Sequence, residues 1–172
     1  LNLQGLVNLT DLICSQNQLT SINLNGLANL TSIDCSDNKL TSLDLDGLVS
    51  LSYLDCSYNQ LKTIDLSGIV IRYPVFDLNN NGLTSFTLKN GVLEQSVSFA
   101  NNPNLQFVCV DESETIGIQN KIKQYGYTNC NVNSYCSFTP GGNYYTIQGN
   151  TKLDNNNNGC DVEDTNYPDL KF

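Results

Sequence analysis

Three cysteines are the first residues whose type and spacing could do chemistry: Cys14, Cys35 and Cys56 fall 21 positions apart. They occupy matching frames, "LTDLICSQNQL" (9–19), "LTSIDCSDNKL" (30–40) and "LSYLDCSYNQL" (51–61), the last two with Asp34 and Asp55 directly before the thiol. Evenly spaced thiols and carboxylates can ligate a metal, and thiols can pair as disulfides. A second constellation, Asp154, Asn156, Asn158 and Gly159, fits the first half of the calcium-loop pattern D-x-[DN]-x-[DN]-G. There, alternate oxygens and a sharp Gly turn surround a cation that takes six or more oxygen ligands. The twelfth position is Thr165 rather than Glu, so Asp161 or Asp164 would have to close the shell, with the Cys160 carbonyl as a further ligand. These residues read as either a calcium loop of modest affinity or an Asn-rich turn. The chain has no His, which removes Ser-His-Asp and Cys-His nucleophiles and His-bound metals. No catalytic residue is expected, and the chain reads as a non-enzyme.

The elements that position these side chains follow from a repeat. Steps of 21 give "LVNLTDLICSQNQLTSINLNG" (6–26), "LANLTSIDCSDNKLTSLDLDG" (27–47) and "LVSLSYLDCSYNQLKTIDLSG" (48–68). A degenerate fourth unit spans 69–91 and a fifth spans 92–111. Such self-similarity marks a solenoid whose coils bury their apolar side by stacking on one another. In a strand, side chains alternate, so Leu12 and Cys14 face one way while Asp11, Ile13 and Ser15 face the other. The cysteines therefore share the apolar side. Coils about 4.8 Å apart place the thiols in a file of parallel vectors, which does not converge on a tetrahedral ion and does not suit a disulfide. Leu78 and Phe99 take the same position in the next two units, and the cysteines read as small buried hydrophobes. Asn17, Asn38, Asn59 and Asn81 form a second file, expected to hydrogen-bond backbone groups at the turn that leaves the strand.

A third file points outward. Asp34, Asp55 and Asp77 are predicted to lie about 4.8 Å apart, and adjacent like charges are unfavourable, so a cation, a basic segment or sugar hydroxyls could compensate. Tyr53 and Tyr58 would supply apolar contact for a peptide or sugar. The alternative is a solvated acidic face that keeps the rod soluble. Two carboxylates one coil apart could match glycoside hydrolysis, but an open face offers no pocket to raise one pKa.

The pattern L-x-x-L-x-L-x-x-N-x-L, met by Leu30, Ile33, Cys35, Asn38 and Leu40, resembles the leucine-rich repeat family. The likeness is to the 21-residue type found in secreted surface proteins of Bacteroidetes, and it covers residues 1–111, as five coils and a partial first one. It implies a leucine-rich-repeat solenoid, mainly β, in which the L-x-C segments form a parallel sheet. The runs at 20–24, 41–45 and 63–66 would form a second extended side, with no helix inside the coils. It further implies export through type IX secretion to the extracellular or outer cell surface, with a protein or glycan as partner in adhesion or assembly. The competing reading is a structural spacer or accessory module of a larger adhesin. Residues 112–136 are expected to form a helical cap, with Ile116, Ile118, Ile122 and Tyr125 at helical spacing and Gly126 as a stop. The resemblance also implies a disulfide clipping Cys109 to Cys130 across the cap, while parity and spacing leave Cys136 open as the alternative partner.

Around 137–143, Pro140 and two Gly read as a linker. Residues 144–172 resemble the first strands of the B-type immunoglobulin-like domains of bacterial adhesins, a truncated β-sandwich start. The chain begins in mid-repeat, "LNLQG" aligning with "INLNG", and is expected to belong to a longer protein. Net charge is -9, from 8 Lys plus Arg against 17 Asp plus Glu, which argues against nucleic acid and anionic membrane as partners. No apolar run approaches the roughly 20 residues that a membrane helix needs.

Overall fold

The structure, a computed structural model, describes residues 1–136 and the backbone of 152–153 and 165–166. The chain divides into two units, Leu1–Pro140 and Gly141–Phe172. In the first unit, the apolar residue two before each of Cys14, Cys35, Cys56, Leu78 and Phe99 is the buried centre of a three-residue strand. β1 (Asp11–Ile13), β2 (Ser32–Asp34), β3 (Tyr53–Asp55), β5 (Val75–Asp77) and β7 (Ser96–Ser98) pair in parallel, in chain order, as one five-stranded sheet. Leu12, Ile33, Leu54, Phe76 and Val97 lie in register along it. All five point inward and are buried.

The second extended side becomes a sheet only from the third coil onward. β4 (Thr63–Asp65), β6 (Ser85–Thr87) and β8 (Phe107–Cys109) pair in parallel, and β9 (Asn131–Asn133) extends them. Runs 20–24 and 41–45 keep the inward alternation, with Leu24, Leu43 and Leu45 buried, but form no strand ladder. Two backbone reversals close each regular coil. One uses left-handed φ after the first sheet, at Gln16, Asp37, Tyr58, Asn80 and Asn101. The other uses Gly26 and Gly47, where the absent Cβ makes φ near +80° inexpensive.

The cap follows the fifth coil. A 3₁₀ turn (Glu112–Glu114) leads into α1 (Thr115–Gln124), which buries Ile118 and Ile122 while Ile116 is exposed. It ends where Gly126 turns left-handed, and the Tyr125, Gly126 and Tyr127 amides donate to the Lys121, Lys123 and Ile122 carbonyls. Phe99 is the hub beneath it, with Phe86 and Tyr125 rings both at 5.1 Å and the Tyr127 ring at 6.3 Å. Side chains of the cap also finish the edge of the first sheet: Lys121 Nζ donates to Val97 O (2.6 Å) and Tyr127 OH to Phe99 O (2.8 Å).

The expected Cys109–Cys130 disulfide is corrected to Cys109–Cys136, with Cα atoms 5.2 Å apart. The register explains the exchange. Asn131 pairs with Phe107 and Asn133 with Cys109, so Cys130 lies at the wrong end of β9, roughly 10 Å along the strand from the level of Cys109. Cys136 is as many residues beyond Asn133, but the chain turns after the strand, where the Tyr135 amide donates to Asn133 Oδ1, and Cys136 reaches Cys109. Cys109 does point out of the coil, in the column of Asp65 and Thr87, yet β9 and the disulfide cover it completely.

In the second unit, β10 (Lys152–Leu153) and β11 (Thr165–Asn166) pair antiparallel. The linker at 137–143 and the calcium-loop residues Asp154, Asn156, Asn158, Cys160, Asp161 and Asp164 lie outside the described residues. Among the described residues, no helix is long and apolar enough to cross a membrane.

Candidate functional site: the outer face of the five-stranded sheet

Register carries Asp34, Asp55 and Asp77 onto one row of the outer face, with Ile13 and Ser98 at its ends. The neighbouring row is Asp11, Ser32, Tyr53, Val75 and Ser96. Ile13 is 78% exposed and Tyr53 40%, so this face holds apolar surface beside its charges. Tyr58 does not join the rows; it is exposed in the turn after β3, where its φ is 52°.

The carboxylates are held. Asp34 Oδ1 accepts from the Ser36 amide (3.0 Å) and hydroxyl (2.7 Å), and Asp55 Oδ1 from the Ser57 amide (2.9 Å) and hydroxyl (2.6 Å). Asp77 Oδ1 accepts from the Asn79 amide (2.9 Å). D-x-[SN] therefore builds a small turn in the second, third and fourth coils, a signal present in the sequence. The environments differ along the file. At Asp34, burial is outweighed by the Ser36 hydroxyl and amide and the Ser15 hydroxyl, which hold the carboxyl below its usual value. At Asp77, burial and the Asp55 charge outweigh the Asn79 amide and push it up. Burial raises the Tyr53 phenol too, followed by the charges of Asp55, Asp34 and Asp77, so one hydroxyl feels all three carboxylates.

The thiols face the other way. Cys35 and Cys56 are fully enclosed and Cys14 nearly so. Burial, aided by neighbouring thiol and carboxylate charges, pushes Cys35 up to about 12 and Cys56 well above its usual value. Both stay protonated at neutral pH and pack as apolar groups. Beside them the Asn file fastens coil to coil. Asn38 Nδ2 donates to the Cys14, Cys35 and Ser36 carbonyls, and its Oδ1 accepts from the Leu19 amide. Asn59 and Asn81 repeat the arrangement, and Asn102 extends it into the fifth coil.

These observations decide the fold: parallel three-residue strands, an inward L-x-L/C column and an Asn ladder at each turn. Residues 28–68 match the family described as leucine-rich repeats, in two copies. The fold is a leucine-rich-repeat solenoid. The leucine-rich-repeat chain is also similar to a solved structure described as the functional domain of InlJ from Listeria monocytogenes, which includes a cysteine ladder. That likeness has 21% sequence identity and a TM-score of 0.47, and it covers 64% of this chain and 32% of that one. The chain thus spans about a third of that structure's length. No curated protein matches the chain.

The leucine-rich-repeat pattern breaks at one place that the columns did not reveal. Leu30 and Leu51, three residues before the strand centre, are fully buried, but the fourth coil carries Tyr73 there and the fifth Glu94. Tyr73 turns out to solvent, 60% exposed with φ 58°, and its amide donates to Leu93 O. With Arg72, the one arginine of the sequence, and Leu93 it lines a cleft of about 500 Å³. The signal was the length of this unit, 69–91, two residues longer than its predecessors.

Proposed function

We propose that this chain is a non-catalytic recognition module that binds a protein, or a glycan, through the outer face of its five-stranded sheet, on an exported bacterial surface protein. The leucine-rich-repeat match supports protein binding. The observation that carries the site is the registered row of Asp34, Asp55 and Asp77 around the Tyr53 hydroxyl. Because Ser36, Ser57 and Asn79 already fix these carboxylates, a basic segment meets acceptors whose rotamers need little further ordering, which lowers the entropy cost of association. Export is supported by the Cys109–Cys136 disulfide, since such bonds persist in oxidising compartments. Adhesion or surface assembly, the Bacteroidetes type and the adhesin domain after residue 143 belong to the same reading, as does calcium at Asp154, Asn156, Asn158, Cys160, Asp161 and Asp164.

A spacer reading is favoured by one observation: the Oδ1 atoms of the row are already engaged in turns within their own coils. Capture from cell-surface extracts, with glycan-array binding in parallel, separates the two. Wild type is compared with Asp34→Asn, Asp55→Asn and Asp77→Asn combined. Salt-sensitive binding lost in the folded variant supports recognition; equal or absent binding in both leaves the spacer.

A further inference from the structure

Glu94 stands where a leucine-rich-repeat coil buries a leucine, and it faces Glu114 from the cap. Its Oε1 accepts from Asn90 Nδ2 at 2.8 Å. Its other oxygen, Oε2, and Oε2 of Glu114 are the two buried side-chain oxygens without a partner among the described residues. Both carboxyls line one cavity of about 240 Å³ between the fifth coil and α1, and the Glu94 carboxyl is among the groups that act on Glu114 there. Two ionised carboxylates there would leave both oxygens unsatisfied and repelling. A single proton between them satisfies both at once.

The surrounding charges do not supply an alternative. Lys121, the cation lining this cavity, donates to Val97 O, and among the described residues it forms no ion pair within 4.0 Å with either carboxylate. Asp111 adds negative charge, although its Oδ2 accepts from the Asn90 and Gly91 amides. Lys89 is taken by Glu112 (3.5 Å) and Ser134 O (2.8 Å).

We propose that Glu94 and Glu114 form a proton-sharing latch that fastens the helical cap to the last coil and loosens when the shared proton is lost. Burial first, and then the Glu94 carboxyl, push Glu114 up to about 8. A group raised this way binds its proton more tightly with the cap closed. The stabilisation is complete below the ordinary carboxyl range near 4.5 and is lost as pH rises through about 8. Opening is local and reversible because α1 lies inside the loop closed by Cys109–Cys136, which tethers the cap. It uncovers the β7 edge, whose Val97 and Phe99 carbonyls Lys121 and Tyr127 otherwise occupy.

The test is carried out on the intact chain by carboxyl-carbon NMR titration, with amide hydrogen exchange from pH 5.5 to 8.5 corrected for intrinsic rates. The latch requires one Glu94/Glu114 transition near 8. It also requires roughly a tenfold or greater loss of protection at Ile118 and Ile122, with protection at Leu54 and Ile64 unchanged. Glu114→Gln, whose amide can donate in place of the proton, should abolish that pH dependence, and Glu94→Gln serves as the second variant. Both carboxyls titrating between about 4 and 5, or cap protection that does not depend on pH, or the same dependence in both variants, would overturn the latch.

Discussion

At the column where the regular coils bury Leu30 and Leu51 completely, the fourth coil presents an outward Tyr73 and the fifth a half-buried Glu94. Residues 6–68 repeat one solution: leucine and cysteine inside, from the second coil onward an asparagine tying each coil to the one before, and in the second and third coils a D-x-S turn outside. From 69 to 136 the chain gives up part of that column and replaces it with an aromatic hub, a side-chain-capped strand edge and a disulfide. The comparison teaches where each kind of function can be placed. A periodic stack yields a rigid, registered face suited to contact with a partner, whereas ionisable groups inside the molecule are tolerated only where periodicity ends and a cap can shape their surroundings.

The comparison breaks most visibly at its junction. Phe99→Ala should cost about 3–5 kcal/mol in urea unfolding, because the ring is fully buried and touches Phe86, Tyr125 and Tyr127. Loss of cap protection before the regular coils melt would place the weak point at the seam. Within the regular half, Asn59→Ala should cost about 1–3 kcal/mol, since it strands the buried Leu40 amide and removes one of the two asparagine donors from each of the Cys35 and Cys56 carbonyls. Asn17→Ala should cost less than about 1 kcal/mol, because Asn17 bonds only Cys14 O and Ser15 O. Equal costs at the two positions would argue against a coil-to-coil ladder. Restoring the column with Glu94→Leu should stabilise the protein by roughly 1 kcal/mol at pH 8.5 and change little at pH 5, where the native pair holds its proton. Smallest is the outer row: Asp34→Asn, Asp55→Asn and Asp77→Asn together should shift stability by less than about 0.5 kcal/mol, because an amide oxygen accepts the same turn bonds.

What the sequence made legible follows the same division. The repeat exposes any role that recurs at fixed spacing, so the buried cysteines, the Asn ladder and the row of carboxylates could all be placed before the fold was seen. Roles filled once leave no column to read. The partner of Cys109 depends on the register of β9, which spacing along the chain cannot supply, and the expected Cys130 lies at the opposite end of that strand. Glu94 gains its role only where the cap sets Glu114 in the same cavity, which no repeat position encodes. Ile116 shared the helical spacing of Ile118 and Ile122 but falls on the side of α1 that no coil covers. Cys109, outward by register, is buried because β9 continues the second sheet over it.

The most direct test of the recognition face is a charge-matched comparison of two variants of the intact chain. One carries Asp34→Asn, Asp55→Asn and Asp77→Asn on the sheet face; the other carries Asp44→Asn, Asp46→Asn and Asp65→Asn on the opposite side of the coils, where the Asp44 and Asp65 carboxylates also cap turns. Each removes three negative charges. Binding to a partner captured from cell-surface extracts should fall at least tenfold in the first and stay within about twofold in the second, if the sheet face is the contact surface. Equal loss in both would reduce the effect to net charge, and no loss in either would contradict recognition through this face.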